Sequence, residues 1–288
     1  MRDKSRLETI IKEHFKDPFN KLLLDEIKHS IRLRTTSKKV TKLGQSKLGG
    51  APDLPNKIKW PKIKGEDRHY SFIGQINLNE IQQYDIENQL PNKGLLYFYY
   101  DIENWDEGRV IYTNNTEELK RAAFPNDIAQ EKRSFLQRLL KMRGKKYIFN
   151  ECFVEINIEY YSMPEDSIEL KRLKQLNCLS KNNELIFNEE VFEKGLLHDE
   201  DERNSNHHLL GYYNGIQHNY YQLDLIKEKG KTIEEINKAL EWKLLLQLDS
   251  DNNLDAMWGD WGKIYFFIHK DDLENLNFNK VKVIGECY

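Results

Sequence analysis

The sequence predicts an α+β fold, internally duplicated, with largely antiparallel sheets, flanking helices and a helical N-terminal extension. Three observations carry this. First, a set of local patterns occurs twice in the same order. Leu48-Gly49-Gly50-Ala51-Pro52, Phe72–Asn77, Gly94–Asp101 and Arg109–Tyr112 are followed later by Leu209-Leu210-Gly211-Tyr212, Leu244–Asp249, Gly262–His269 and Lys280–Ile284. Second, the helical periodicities come in blocks rather than alternating strictly with strands, which argues against a parallel α/β sheet. Third, 288 residues with 39% hydrophobic, 32% charged and a net charge of −3 describe a soluble globular chain with enough apolar residues for a sizeable core. The expected organisation is an extension over residues 1–36 and a single domain over 37–288. That domain is built of two similar units, about 37–125 and 207–288, with a helix-containing insertion between them. Two such units imply packing about a pseudo-twofold axis, with a shared face or cleft.

Each element has its own signal. Leu7, Ile10, Ile11 and Phe15 recur at helical spacing, and Asp17-Pro18 opens a second helix through Leu22, Leu23 and Ile27. From Ser37 to Tyr70 the Gly and Pro content predicts irregular backbone, long enough for a binding role to be conceivable. Tyr70–Leu78, Gly94–Asp101 and Arg109–Thr113 are aromatic and β-branched, and read as strands of a meander. Asp127–Arg143 reads as a helix with Ile128, Phe135, Leu139 and Met142 on one stripe. Tyr147–Tyr161 alternates as a long strand with one buried face. Helices are expected near Asp166–Leu176 and Glu189–Leu197, and Thr232-Ile233-Glu234-Glu235 resembles a capping box. Strands at Trp242–Asp249, Lys263–His269 and Lys280–Glu286 complete the chain, with a short helix starting at Asp271 or Asp272.

The separated stretches Leu48–Pro55, Gly74–Leu78, Leu90–Phe98, His208–Tyr212 and Trp258–Phe267 occur together in the order found in the YwqG-like family of bacterial proteins, which the chain resembles from about Ser37 to its end. Gly211-Tyr212-Tyr213 departs from the proline expected soon after that glycine. The resemblance implies an α+β fold and a domain of unknown function, and leaves the chemistry to the residues.

Composition narrows the classes. The opening residues lead into an amphipathic pattern rather than an apolar signal core, and no window approaches ~20 apolar residues. Cys152, Cys178 and Cys287 are odd in number, far apart and lack CxxC spacing, so a reducing cytoplasm is expected. Charge is uneven: Lys28–Lys64 holds eleven Lys/Arg against Asp53 alone, Lys132–Lys146 seven against no acid, and Glu184–Glu202 eight acids against Lys194. Aromatic interleaving and a recognised nucleic-acid module are both missing, so these blocks read as solvated faces that partly complement each other.

For chemistry, Asp249, Asp251, Asn253 and Asp255 alternate as oxygen ligands in a Ca²⁺ loop do, but Leu254 stands where the sharp turn needs Gly, and Asp260 where a bidentate Glu belongs. A polar strand-exit loop is the plainer reading. His198, His207, His208 and His218 lie near Asp199, Glu200 and Asp201 without recognised metal spacing. No Gly-x-Ser-x-Gly elbow, activated cysteine or phosphate loop occurs. Gln75 and Gln247 occupy the same place in two apolar strands, either as struts for the turns or as polar groups of a shared pocket. Outward aromatics with Trp258 and Trp261 are expected to line the inter-unit cleft. The sequence therefore predicts a cytoplasmic binding protein for a protein partner or small ligand, with no cofactor and neither nucleic acid nor membrane as partner. The alternative is a divalent-metal-dependent enzyme using Asp249–Asp255 or His207–His218.

Overall fold

The computed structural model describes residues 3–129, 146–164, 167–176, 178, 205–218 and 220–288. The chain enters through α1 (Lys4–His14) and α2 (Phe19–Asp25), then β1 (Lys28–Thr36), β2 (Lys47–Leu48), β3 (Asp53–Leu54), β4 (Ser71–Asn77), α3 (Leu78–Ile81), β5 (Leu95–Tyr100), β6 (Gly108–Thr113), β7 (Lys120–Arg121) and α4 (Asn126–Ala129). It continues through β8 (Cys152–Tyr161), α5 (Ile168–Gln175), β9 (His208–Leu209), α6 (Tyr221–Ile226), α7 (Ile233–Ala239), β10 (Trp242–Asp249), β11 (Lys263–His269), α8 (Lys270–Glu274) and β12 (Lys282–Glu286). Local signals explain the starts. Asp3, Ser167 and Thr232 each accept a hydrogen bond from a backbone N–H of the first turn, and the Glu235 carboxylate takes the N–H of Lys231 at 2.8 Å. The helix expected over Asp127–Arg143 begins at Asn126, but everything after Ala129 lies outside the described residues, as do Glu189–Leu197, His198 and the acidic block.

One sequence expectation is corrected. Residues 28–36 are not part of a helical extension: they form β1, a strand at the centre of the sheet. The alternation of Ile31 and Leu33 with Arg32 and Arg34 is a strand period. Ser30 to Leu33 are all buried because strands flank β1 on both sides.

Ten described strands form one antiparallel sheet in the order β12-β11-β10-β9-β1-β8-β2-β4-β5-β6. The order reads alike from either end. Each half places a two-residue strand, β2 or β9, beside a long three-strand meander. The long strands β1 and β8 meet in the middle, with Arg34 opposite Glu155. Each of them pairs outward with the short strand that follows the other: β1 with β9, and β8 with β2. A β-bulge falls between Phe72 and Gly74 in β4 and between Leu244 and Leu246 in β10. The extra residue lets Phe72 and Gln75, three apart, point the same way, and likewise Leu244 and Gln247.

The sheet curls until its ends nearly meet. A Cβ added to Gly108 of β6 would sit 2.7 Å from Val283 Cγ2 of β12. Inside, one apolar core spans both halves, from Ile76, Phe98 and Val110 to Leu246, Phe266 and Val283, with the Phe98 and Phe266 rings edge to face at 5.3 Å. Outside, Phe72, Tyr97 and Tyr99 are covered by the 54–70 loop, while Leu244, Tyr265 and Phe267 lie under α6. The space between the halves is thus filled by side chains, and the cleft expected there is taken up by core.

Candidate functional site

Gln75 and Gln247 are both fully buried, and the structure does not bring them together. Four strands separate β4 from β10, and each amide faces the outer cluster of its own half. Their bonding recurs residue for residue. Gln75 Oε1 accepts the Asp53 N–H and Gln247 Oε1 the Asn214 N–H, each at 2.8 Å. Tyr97 OH donates to the Asp53 carbonyl and Tyr265 OH to the Asn214 carbonyl. The Gln75 amide donates to the Gln45 carbonyl, and that of Gln247 to the Asn206 carbonyl. Buried amides need such partners, and here they hold the chain where it leaves β2 and β9. Those exits run through Gly49-Gly50 and Leu210-Gly211, all four residues at positive φ. A Cβ on Gly49 would meet the Asn150 carbonyl oxygen at 2.0 Å, so glycine is required there.

Beside each glutamine lies a buried basic group. Lys47 Nζ donates to the Ala51 carbonyl at 2.6 Å and to Glu151 at 2.8 Å, with Asp53 3.7 Å away and Arg121 joining both carboxylates. Burial pushes the Lys47 ammonium down, and Glu151 and Asp53 oppose it. In the second half the place of Lys47 is taken by His208, whose ring nitrogens face the carbonyls of Asn206 and Tyr212, both at 2.9 Å. Burial pushes this imidazole down to about 4, against the pull of those two carbonyls.

The Asp249–Asp260 loop is a hydrogen-bonded turn. Asp251 Oδ2 accepts from Thr35 Oγ1 at 2.6 Å, Ser205 Oγ at 2.9 Å and His207 Nε2 at 2.9 Å, while Oδ1 takes the Asn253 N–H. Burial works to raise this carboxyl, but the His207 and Thr35 bonds outweigh it and hold it well below the usual range. Asp249 accepts from the Asn206 N–H and Gln247, and Asp255 pairs with Lys146. His207 Nδ1 accepts the Asp249 N–H, so its proton sits on Nε2 and no ring nitrogen remains to activate a hydroxyl. Ser205, His207 and Asp251 therefore form a structural knot between β1 and β10 rather than a nucleophilic triad. His218 lies apart, stacked on Tyr220 at 5.0 Å and 3.4 Å from Asp224. Among the described residues no three His, Cys, Asp or Glu side chains are grouped to hold a metal ion. Burial raises the Cys152 thiol to about 11, which removes it as a nucleophile.

The two tryptophans part company. Trp258 is buried, edge to face with Phe149 and Tyr100. Trp261 is 50% exposed at φ 50, a conformation rare for a bulky side chain. Trp105, Met257 and Tyr288 are exposed as well. The Trp105 ring covers Gly259 and Gly285, where a Cβ would lie 2.7 Å from it, and the Tyr288 N–H reaches the Asp260 carbonyl. Asp106 and Glu107 follow Trp105 in the chain and Asp260 precedes Trp261, all three exposed. Sequence reasoning singled out Trp261 and not Trp105, although a tryptophan inside the acidic turn Glu103–Glu107 is itself a signal.

Among the described residues no helix is long and apolar enough to cross a membrane. A comparison with curated proteins finds no match for the chain. The described family DUF1963, a domain of unknown function, matches residues 46–287, which takes in the whole sheet except β1. Matching well over half of the chain, that comparison places the protein in the DUF1963 family.

Proposed function

We propose that this is a bacterial, cytoplasmic, YwqG-like binding protein whose partner is another protein presenting a basic segment. Under the same reading its domain, residues 37–288, arose by duplication of one unit into two (about 37–125 and 207–288). The observation that carries the function is the exposed group Trp105, Met257, Trp261 and Tyr288. Large apolar side chains are normally covered, and a contiguous exposed group of them marks an interaction surface. Tryptophan and tyrosine supply anchor area at low entropic cost. The backbone of Trp261 is held at positive φ, a conformation that costs on the order of 1 kcal/mol and is retained where it serves a purpose. The exposed acids Asp106, Glu107 and Asp260 select a cationic partner and work against both nucleic acid and anionic membranes.

The test is a fluorescence titration with synthetic peptides carrying two or three Arg or Lys residues around an aliphatic anchor, against acidic peptides of the same length. Basic peptides are expected to quench or shift tryptophan emission saturably. The pair Trp105→Ala and Trp261→Ala should weaken binding at least ~10-fold, as removing two central anchors does. Equal binding by the double variant, or by the acidic peptides, refutes the surface.

A further inference from the structure

A second site opens within the sheet itself. β9 is only two residues long: after pairing Leu209 with Ile31 it leaves through Leu210 and Gly211, both at positive φ. Extended by two residues, that register would set Gly211 opposite His29, where a Cβ would come within 2.9 Å of the His29 carbonyl. Beyond this exit no strand of the described residues stands between the start of β1 and the start of β10. The slot is a cavity of about 110 Å³ whose walls include Tyr212, Tyr213, Trp242, Leu240 and Leu244. His29 lines it and is 2% exposed, and neither of its ring nitrogens has a hydrogen-bond partner. Asp85 and Glu87 are the nearest acids, at 3.8 and 3.4 Å.

The charges around the slot are unequally engaged. Of its two lining acids, Glu169 takes the Lys28 ammonium at 2.5 Å, and Glu87 takes the Gln89 amide at 2.8 Å. Lys28 also lies over the Tyr212 ring, 4.1 Å from its centre. Lys243, also in the lining, has no ion pair or hydrogen bond among the described residues, and burial and the charge of Lys28 push its ammonium down. By accessible surface Lys243 is exposed, so water still reaches the ammonium. An unsatisfied buried imidazole is costly, and an ammonium lining such a slot is a ready anion partner.

We infer that this slot binds a small carboxylate with a short apolar body, its charge on Lys243, its hydrocarbon against Trp242 and Leu244, and the His29 ring beside it at the floor. The volume limits the ligand to a handful of heavy atoms, so affinity on the order of 1 mM is expected. The inference does not depend on the tryptophan surface, and the two fail separately.

The experiment uses the full chain and two readouts: melting temperature, and NMR shifts of the histidine ring protons. The probes are acetate, butyrate, benzoate, butyramide and inorganic phosphate. Butyrate or benzoate should raise the melting temperature saturably and move one histidine ring, assigned to His29 by its loss in His29→Gln. Butyramide should do neither. Lys243→Met, at an exposed position, should leave the unliganded protein folded and weaken butyrate at least ~10-fold, while Lys243→Arg retains binding. The inference is overturned if no carboxylate binds, if phosphate or the amide binds as well as butyrate, or if Lys243→Met leaves binding unchanged.

Discussion

The two halves of the sheet share a backbone plan and differ in chemistry. In each, a glutamine just beyond a bulge holds the exit of a two-residue strand, and a tyrosine on the neighbouring strand caps the equivalent carbonyl. Around that plan the first half builds fixed charge pairs, Lys47 and Arg121 with Asp53 and Glu151. The second half substitutes a histidine for the lysine and assembles imidazoles, hydroxyls and the carboxylates of Asp249 and Asp251. Backbone hydrogen bonds thus determine the architecture, while the side chains packed against them are free to differ. The exits differ too. At the first, Gly50 bonds back to the Phe149 carbonyl, whereas at the second the chain turns out past His29 and leaves the slot.

The sharpest test of the shared plan is to remove its amides one at a time. Each substitution vacates the volume of a fully buried amide; Gln75→Ala also strands the buried Asp53 N–H, whereas the Asn214 N–H freed by Gln247→Ala belongs to an exposed residue. A stranded buried group together with the vacated volume predicts a loss of about 2–4 kcal/mol for Gln75→Ala, and the vacated volume alone about 1–3 kcal/mol for Gln247→Ala. Urea midpoints should fall for both variants, further for Gln75→Ala. A change under ~0.5 kcal/mol in either would mean that the amides follow the turns rather than hold them.

The difference between the halves should appear as pH is lowered. The folded value of His208 lies below its ordinary 6.5, so the unfolded chain binds that proton more readily. Stability is therefore complete above pH 6.5 and declines as pH falls toward about 4, by on the order of 3 kcal/mol. Below the ordinary 3.8 of a free aspartate, a second loss follows as Asp251, held low by His207 and Thr35, is forced to protonate. His208→Gln should flatten the profile between pH 6.5 and 4.5, and a wild-type profile already flat there would show that the second half is no more acid-sensitive than the first.

The α+β class and the antiparallel strands of both halves were legible because aromatic and β-branched runs between Gly and Asn boundaries are local signals. β1 was not, because Lys28, Arg32 and Arg34 lie within a longer basic block and resembled solvated surface, which hid the alternation of Ile31 and Leu33. The pairing of β1 with β9 and β8 with β2 is long-range, so nothing near either strand encodes it. For Gln75 and Gln247 the equivalence was legible but not the direction. The bulges that turn both toward the outside leave no mark in composition. His29 escaped notice because a lone histidine acquires meaning only when Asp85, Lys243 and the exit at Gly211 are placed around it.

The smallest expected effect concerns the Asp249–Asp260 loop, where alternating oxygens resemble a hard-cation site. To bind an ion, Asp251 must release four donors, from Thr35, Ser205, His207 and Asn253, and Asp249 must release Asn206 and Gln247. Each such bond to a charged group is worth about 1.5–3 kcal/mol, and a metal would have to exceed their sum as well as shed its own water. Asp255 sits at positive φ and is paired with Lys146, away from the other two carboxylates' partners. A native-state ligand at ten times its dissociation constant adds about 1.4 kcal/mol, which for a chain of this size moves the melting temperature by roughly 2–4 °C. Ca²⁺, Mg²⁺ and Mn²⁺ at ~10 mM should therefore give no saturable rise of even ~1 °C. A rise that Asp249→Asn with Asp251→Asn abolishes would show that the second half exchanges its hydrogen-bonded knot for a metal, which the first half, with Asn77 and Leu78 in place of Asp249 and Ser250, has no means to do.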